Sequence, residues 1–324
     1  MSAGRRWATR AAALAAALLG AMPALGAEPG FPVTVSSCGQ PVRFEAPPRR
    51  MVVHDLNMAE MALALGLQPR MAGVTGITGW YKAGPEFFSA LGRVPELAPR
   101  YPTLENLLAV QPDLFFAGWY YGMQPGGEVT PATLARHGVP TLVLTESCIH
   151  TGAAKPEATL DLLYGDVLRL GTVFGRQGVA ERLVAGWRER VRAAAQPPLA
   201  RVPRVFVYDS GEDKPFTAGR AAMPQALIAA AGGTNALGDL AMGWGTASWE
   251  AVAERDPQFI VLLDYQNGQG PEHLRRVLER HPAMRLTQAV REGRYIVLRY
   301  AELTPGPANI DAIEKIARAL RAPR

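Results

Sequence analysis

Residues 103–116 read TLENLLAVQPDLFF, and residues 248–261, far along the chain, read SWEAVAERDPQFIV. Each segment opens with a hydroxyl residue suited to a helix N-cap, and two positions later a glutamate lies where the helix dipole favours negative charge. A short amphipathic helix follows and stops before a proline, and the next apolar run is typical of a buried strand. This repeated helix–proline–strand unit predicts two similar α/β lobes.

Two similar lobes suggest a cleft between them. They also suggest a matched pair of surface glutamates, Glu105 and Glu250, with one in each lobe.

The first 27 residues are predicted to be a secretory signal peptide. Arg5, Arg6 and Arg10 form a basic start, an apolar core follows, and Ala24-Leu25-Gly26 offers a small-residue cleavage site. The Arg5-Arg6 pair raises the twin-arginine export route, although the residues after it fit that pattern poorly, so the general secretory route stays open. No cysteine lies at the cleavage point, so we expect a soluble periplasmic protein without a lipid anchor.

Charge and cysteine content narrow the function further. The formal charge is +5 and the signal arginines account for +3 of it, which leaves +2 on the exported chain. This is too small to indicate nucleic-acid binding.

The two cysteines, Cys38 and Cys148, are expected to form a disulfide in an oxidising compartment, where the bond could contribute on the order of 4 kcal/mol to stability. The alternative is a pair of thiolate metal ligands.

Strands alternate with helices along the chain, which predicts an α/β fold of two Rossmann-like lobes with mostly parallel sheets. Residues 28–174 are predicted to form the N-terminal lobe and residues 200–324 the C-terminal lobe. Residues 157–195 are almost wholly helical in pattern and break at Gly175. We therefore expect a single long helix within residues 175–199 to bridge the lobes, with the ligand cleft between them.

Ligands of parallel sheets bind outside the carboxyl ends of the strands. The side chains just past the predicted strand ends are mostly aromatic, and Tyr and Trp offer flat apolar area with a polar handle. They suit a large, flat or greasy ligand, although some rings could simply cover the lobe interface. The predicted ligand-binding residues are His54, Trp80, Tyr81, Trp119, Tyr120, Tyr121, Asp209, Tyr265 and Tyr300.

Several further motifs resemble those of one family. They are PRRMVV at 48–53, EMALALGL at 60–67, MAGV at 71–74, TLE at 103–105, QPDL at 111–114, PFTAG at 215–219, AAGGTN at 230–235 and SWE at 248–250. In order and spacing they are similar to the periplasmic binding proteins of metal-chelate ABC importers, which take up ferric siderophores, haem and cobalamin.

The resemblance implies two α/β lobes joined by one long helix, with little hinge closure. It also implies that Glu105 and Glu250 dock on arginines of an ABC permease dimer, which works with its ATPase subunits. The sequence therefore predicts a monomeric solute-binding protein. A ferric siderophore is the first choice of ligand, and cobalamin or another corrinoid is the second. Neither catalytic residues nor a resident metal or cofactor are expected.

Three other classes of protein compete with this interpretation. An enzyme is disfavoured because the chain lacks a Gly-x-Ser-x-Gly elbow and a Walker loop, although Asp55, Glu146 and Asp209 could act as acid and base. A zinc or manganese importer needs three or four convergent ligands, and His54 is the one well-placed histidine. His54 could also donate a hydrogen bond to the ligand or ligate a haem or corrinoid metal. A structural or adhesive protein would leave the aromatic residues and paired glutamates unexplained.

Overall fold

Two separate parallel β-sheets organise the chain. The computed structural model describes residues 30–80, 83–152, 154–265 and 270–322, so the predicted signal peptide lies outside the described residues. In these ranges, no helix combines the length and the apolar character needed to cross a bilayer.

The N-terminal lobe begins with an antiparallel hairpin of β1 and β2 and continues into a parallel sheet of order β5-β4-β3-β6-β8, with β7 also pairing with β6. Its strands are β1 (Val33–Ser37), β2 (Gln40–Phe44), β3 (Met51–His54), β4 (Met71–Thr75), β5 (Glu96–Ala98), β6 (Leu114–Trp119), β7 (Gly122–Met123) and β8 (Thr141–Val143). The helices of this half are α1 (Leu56–Ala64), α2 (Pro85–Leu91), α3 (Leu104–Ala109), α4 (Pro131–Ala135), α5 (Asp161–Val173) and α6 (Gln177–Ala194).

The C-terminal lobe contains a parallel sheet of order β11-β9-β13-β14 and a small antiparallel pair, β10 with β12. Its strands are β9 (Arg204–Tyr208), β10 (Phe216–Ala218), β11 (Thr234–Asn235), β12 (Trp244–Thr246), β13 (Phe259–Asp264) and β14 (Tyr295–Arg299). Its helices are α7 (Met223–Ala230), α8 (Trp249–Glu254), α9 (Gly270–Arg280), α10 (Gln288–Arg291), α11 (Tyr300–Leu303) and α12 (Asn309–Arg321).

The sequence repeat corresponds to α3–β6 in one lobe and α8–β13 in the other. The side chain of Thr103 accepts a hydrogen bond from the Asn106 amide, and that of Ser248 accepts one from the Ala251 amide, so both predicted N-caps form. The residue before the proline has a positive φ in both copies, 47° at Gln111 and 40° at Asp256. Each left-handed residue turns the chain from the helix into the strand, so the two units share a backbone path as well as a pattern.

The predicted inter-lobe helix is α6, which starts at Gln177 after a break at Gly175, where φ is 63°. It packs on α5 of the N-terminal lobe and on α12 of the C-terminal lobe. Arg190 of α6 donates to Asp311 at 2.6 Å and to Glu314 at 2.8 Å, both on α12. The helix therefore contacts both lobes, as a connector must.

A disulfide joins Cys38 to Cys148 across 110 residues of chain, with the two Cα atoms 5.3 Å apart. It ties the β1–β2 hairpin to a short 3-10 helix, Thr145–His150, that follows β8. The Ser37 hydroxyl reinforces the same junction, because it accepts a hydrogen bond from the Val143 amide at 2.9 Å. The predicted pairing of the two cysteines is confirmed.

Candidate functional site

The two lobes meet along the carboxyl edges of their sheets. On one side, the Asn57 side chain after β3 donates to the Pro305 carbonyl at 2.6 Å. On the other side, the Ala158 amide donates to the Arg220 carbonyl at 2.8 Å. The strand order reverses between β3 and β6 in one sheet and between β9 and β13 in the other. Such reversals mark the ligand site of open parallel sheets, so the cleft lies between these two contact regions.

A chain of two aspartates and two tyrosines crosses from one lobe to the other. Asp55, directly after β3, accepts a hydrogen bond from the Tyr300 hydroxyl at 2.9 Å. Asp209, directly after β9, accepts one from the Tyr265 hydroxyl at 2.5 Å. The two tyrosine rings lie 5.8 Å apart. We call these four residues the Asp–Tyr chain, and it brings the predicted site residues Asp209, Tyr265 and Tyr300 together.

Local backbone geometry holds both aspartates in place. Asp55 has a φ of 73° and caps α1, because its side chain accepts a hydrogen bond from the Leu56 amide at 2.6 Å. Asp209 also accepts from the Ser210 hydroxyl at 2.6 Å. Burial raises the pKa of the Asp209 carboxyl, although its hydrogen bonds with Ser210 and Tyr265 favour the ionised form.

His54 lies inside the wall of the N-terminal lobe with only 3% of its surface exposed. Its Nδ1 lies 2.8 Å from the Thr75 hydroxyl oxygen, and burial lowers the pKa of the imidazole to about 3, so the ring is neutral. The Tyr101 ring stacks parallel to it at 5.6 Å. His54 therefore lies behind Tyr101 and does not present an open face to the cleft.

Tyr101 was missed by the sequence patterns because no pattern identified β5, the strand that ends three residues before it. Its side chain is 41% exposed, and its hydroxyl donates to the Tyr120 carbonyl at 2.8 Å. A tyrosine–proline pair following a short edge strand is the one local feature that could have indicated it.

Trp80 and Tyr101 follow β4 and β5, and Trp119 and Tyr120 lie at the end of β6; we call these four residues the aromatic rim. The Arg100 guanidinium lies over the Trp80 ring at 4.2 Å. Tyr120 is 52% exposed and has its ring edge-on to His150 at 4.6 Å. Trp119 is half-buried and also packs against the hydrophobic cluster around Phe115, and its amide donates to the Ser147 hydroxyl at 3.0 Å.

Two of the predicted aromatic residues are not placed in the rim. Tyr121 is half-buried and packs against the hydrophobic core. Tyr81 lies outside the described residues.

A second contact between the lobes joins Glu146 to the loop around Trp244. Glu146 is 3% exposed, and burial raises the pKa of its carboxyl to about 8, although the Met223 amide and the Trp244 indole favour the ionised form. The indole thus lies close to the carboxyl group, although neither Glu146 Oε2 nor Trp244 Nε1 makes a hydrogen bond of regular geometry within the described residues. The sequence patterns missed Trp244 because they considered only residues at the ends of predicted parallel strands. Trp244 lies on the antiparallel β10–β12 pair.

Glu105 and Glu250 occupy equivalent positions, each the second residue of its helix and each exposed to solvent. Their helices lead into β6 and β13, the two strands on the far side of the order reversal in each sheet. The structure thus retains the matched placement that the repeat predicts.

The part of the chain that the structure describes contains no group of three or more His, Cys, Asp or Glu side chains arranged to hold a metal ion. A cavity of about 900 Å³ lies at the opposite, amino-terminal edge of the C-terminal sheet, between Arg204, Phe259 and Arg294. It shares no lining residue with the aromatic rim or the Asp–Tyr chain.

The sequence matches the family described as "Periplasmic binding protein" over residues 51–301. It is 26% identical over 220 residues to a vitamin B12-binding protein of Pectobacterium carotovorum, an alignment that covers 66% of this chain and 71% of that protein.

Two solved structures share the fold. The Fe3+-hydroxamate ABC transport protein of Saccharomonospora viridis superposes with a TM-score of 0.75 at 25% identity, covering 90% of this chain and all of that one. The periplasmic haem-binding protein of Roseiflexus sp. RS-1 superposes with a TM-score of 0.65 at 24% identity, covering 84% of this chain and 97% of that one.

The chain belongs to the periplasmic binding protein family, and it has the fold of the metal-chelate ABC importer type. Members of this type bind a chelate and deliver it to an ABC permease. The predicted two-lobe α/β fold and the predicted family resemblance are confirmed.

Proposed function

We propose that this protein captures a corrinoid, of the cobalamin type, in the periplasm and delivers it to an ABC permease. The observation that carries the proposal is the pairing of a broad aromatic rim with three carboxyl groups, those of Asp55, Asp209 and Glu146, that are buried or hydrogen-bonded. A corrinoid is a wide, flat macrocycle with a neutral, amide-rich periphery. Trp and Tyr rings suit its faces, since a binding cleft for a ligand of this size is mostly apolar with few polar groups.

The charges around the cleft also favour a neutral ligand. Asp55 and Asp209 each accept a tyrosine hydroxyl, and Glu146 is largely protonated at pH 7 because burial raises its pKa to about 8. The guanidinium nearest the rim, that of Arg100, already lies over Trp80. The vitamin B12-binding relative in Pectobacterium supports the same ligand class.

The ligand contacts follow from this arrangement. Trp80, Tyr101, Trp119 and Tyr120 pack against the macrocycle, with His54 supporting Tyr101 from behind. Asp209, Tyr265 and Tyr300 form the facing wall. Tyr81 and Tyr121 remain part of the proposed site from the sequence patterns.

Delivery depends on the two lobe surfaces. Glu105 and Glu250 dock on the permease, one on each subunit. Residues 1–27 direct export to the periplasm, where the soluble monomer works. Residues 28–174 and 200–324 act as the two lobes, and the helix within residues 175–199 keeps their spacing nearly constant.

A ferric hydroxamate siderophore is the second candidate ligand. The similarity to the Fe3+-hydroxamate transport protein of Saccharomonospora viridis, at a TM-score of 0.75, specifically favours it. Hydroxamate chelates are compact and carry little charge, so the same neutral cleft accommodates them.

Isothermal titration calorimetry of the exported chain tests the proposal. The panel is cyanocobalamin, a ferric hydroxamate, haem, and zinc and manganese salts. We expect one-to-one binding of cyanocobalamin with a Kd in or below the micromolar range. Binding of the hydroxamate alone would replace the first candidate by the second, and a response only to the free metals would contradict both.

A further inference from the structure

Arg100 is a cation at the carboxyl edge of the N-terminal sheet whose hydrogen-bond donors are not used by the protein itself. It follows β5, is exposed, and places its guanidinium carbon 4.2 Å from the centre of the Trp80 ring. Within the part of the chain that the structure describes, Arg100 makes neither a hydrogen bond nor an ion pair. The guanidinium groups of Arg169 and Arg204, by contrast, donate to backbone carbonyls at 2.7 and 2.6 Å. Arg100 therefore keeps its N–H donors for a group that comes from outside the protein.

The backbone that carries Arg100 packs closely against the loop that carries Trp80. The Gly79 amide donates to the Pro99 carbonyl at 2.9 Å. A Cβ atom on Gly79 would lie 2.3 Å from the Pro99 carbonyl oxygen and 2.7 Å from Arg100 Cγ, so this approach requires glycine. The first part of the arginine side chain is thus held in place by a neighbouring backbone.

Glu96 of β5 holds the same loop. Its Oε1 accepts hydrogen bonds from the amides of Ile77 and Thr78 at 2.8 and 2.9 Å, and its Oε2 accepts one from the Thr78 hydroxyl at 2.7 Å. Hydrogen bonds to an ionised carboxylate are stronger than those between neutral groups. Trp80 and Arg100 therefore project from two segments that are tied together before any ligand binds.

We propose that Arg100 binds the phosphodiester of the ligand's nucleotide loop, and so distinguishes complete corrinoids from those that lack this loop. The inference rests on the proposed corrinoid function and specifies a residue that selects among corrinoids. In a complete corrinoid, one arm of the macrocycle extends into a nucleotide whose phosphate is anionic. A guanidinium suits this group because its planar N–H donors can meet two phosphate oxygens at once. Since Arg100 contacts a residue of the aromatic rim, an arm that extends beyond a macrocycle bound on the rim comes within its reach.

The other titratable groups described at the site do not suit a phosphate. The carboxyl groups have the wrong sign of charge and would repel it when ionised. His54 is neutral and buried behind Tyr101. Burial also lowers the pKa of His150, so this imidazole is not a cation at pH 7 either. Arg100 is thus the cation beside the aromatic rim, within the described residues, that an anionic arm can meet.

Calorimetry at pH 7 with cyanocobalamin and with dicyanocobinamide, which lacks the nucleotide loop, tests the proposal. Wild type should bind cyanocobalamin about tenfold more tightly than dicyanocobinamide. Arg100→Met should weaken cyanocobalamin binding about tenfold, because the charge-assisted contact is lost. It should leave dicyanocobinamide binding within about threefold of wild type, since methionine keeps an apolar contact with Trp80. Arg93→Met is the matched control, an exposed arginine before the opposite end of β5, and should bind both ligands like wild type.

The ratio of the two affinities identifies the contact. Dicyanocobinamide also lacks the terminal base of the nucleotide, so the decisive result is the loss of the preference in Arg100→Met. Equal weakening of both ligands in this variant would overturn the proposal, because Arg100 would then only support Trp80. Equal binding of both ligands by wild type, or an unchanged ratio in Arg100→Met, would overturn it as well.

Thermal unfolding confirms that each variant is folded. Arg100→Gln, a second neutral variant with the same expected result, keeps the test valid if the methionine variant is not folded. Failure of wild type to bind either corrinoid would instead overturn the proposed function, and the phosphodiester contact with it.

Discussion

His54 can occupy its buried position because the residues on either side of its ring are glycines. A Cβ atom on Gly122 would lie 2.5 Å from His54 Cγ, and one on Gly76 would lie 2.6 Å from His54 Cε1. Both glycines also have positive φ values, 92° and 76°. The neutral imidazole is thus clamped between two backbones and holds the Tyr101 ring at the cleft.

Substitution of Gly122 by alanine tests this packing. Gly122→Ala should lower the free energy of unfolding by about 3 kcal/mol, combining left-handed strain with overpacking. Gly126→Ala is the matched control, because Gly126 has a φ of 77° but nothing within 4 Å of an added Cβ. It should lose only about 1 kcal/mol, from backbone strain alone. Urea denaturation measures both, and equal losses would contradict the clamp.

Glu146 should make stability depend on pH in an unusual direction. Its pKa is about 8 in the folded protein and 4.5 ordinarily, so between these values the folded state holds a proton that the unfolded state has released. The titration of Glu146 therefore lowers the free energy of unfolding as pH rises from about 5 to 8, by at most about 1.4 kcal/mol per pH unit. Glu146→Gln removes the titration, so its stability relative to wild type should increase across that range. A constant difference in urea unfolding from pH 5 to pH 8 would rule this out.

At the scale of single elements, the first turns of α3 and α8 combine a hydroxyl N-cap with an exposed glutamate. Capping and dipole effects account for the presence of an acidic residue there. They do not account for the same residue at the same place in both lobes, on helices that lead into equivalent strands. Docking on a two-subunit permease requires such matched placement.

The double variant Glu105→Ala/Glu250→Ala should abolish uptake of the ligand by cells while the Kd measured by calorimetry stays unchanged. Glu86→Ala/Glu272→Ala is the control, since these exposed glutamates occupy the first turns of α2 and α9, again one per lobe. The control should transport normally. Normal uptake by the first variant would show that these positions are capping charges only.

At the scale of the whole molecule, the Asp–Tyr chain and α6 set the relation of the two lobes. Tyr300 belongs to the C-terminal half but donates to Asp55 of the N-terminal lobe, whereas Tyr265 donates to Asp209 within its own lobe. The two hydrogen bonds are chemically alike and differ in whether they cross the cleft.

The variants Tyr300→Phe and Tyr265→Phe remove these two hydrogen bonds one at a time, the first between the lobes and the second within one lobe. Each should lower the free energy of unfolding by about 1–2 kcal/mol, because a buried carboxylate loses a donor. Only Tyr300→Phe should also change the spacing of the lobes, which small-angle X-ray scattering of the ligand-free protein detects. The same scattering profile for both variants would mean that α6 alone sets the spacing.

Local sequence patterns predicted the repeated helices and strands, but they did not identify every residue of the candidate site. The two repeat units and the break before α6 agree with the structure because caps, prolines and hydrophobic periodicity act within a few residues. The short strand β5 carries too little pattern to be recognised, and Tyr101 was missed with it. The ligand-binding assignments of Trp80, Tyr81 and the other aromatic residues stay predictions.

The sequence by itself determined the α/β class, the two-lobe duplication, the disulfide partners and the matched positions of Glu105 and Glu250. Each of these depends on residue type and spacing along the chain. Only the tertiary structure decided that His54 is buried behind Tyr101, that Tyr300 reaches Asp55, and that Glu146 faces Trp244. Burial and hydrogen-bond pairing arise where segments far apart in sequence pack together, and a local sequence pattern does not show which distant segments will meet.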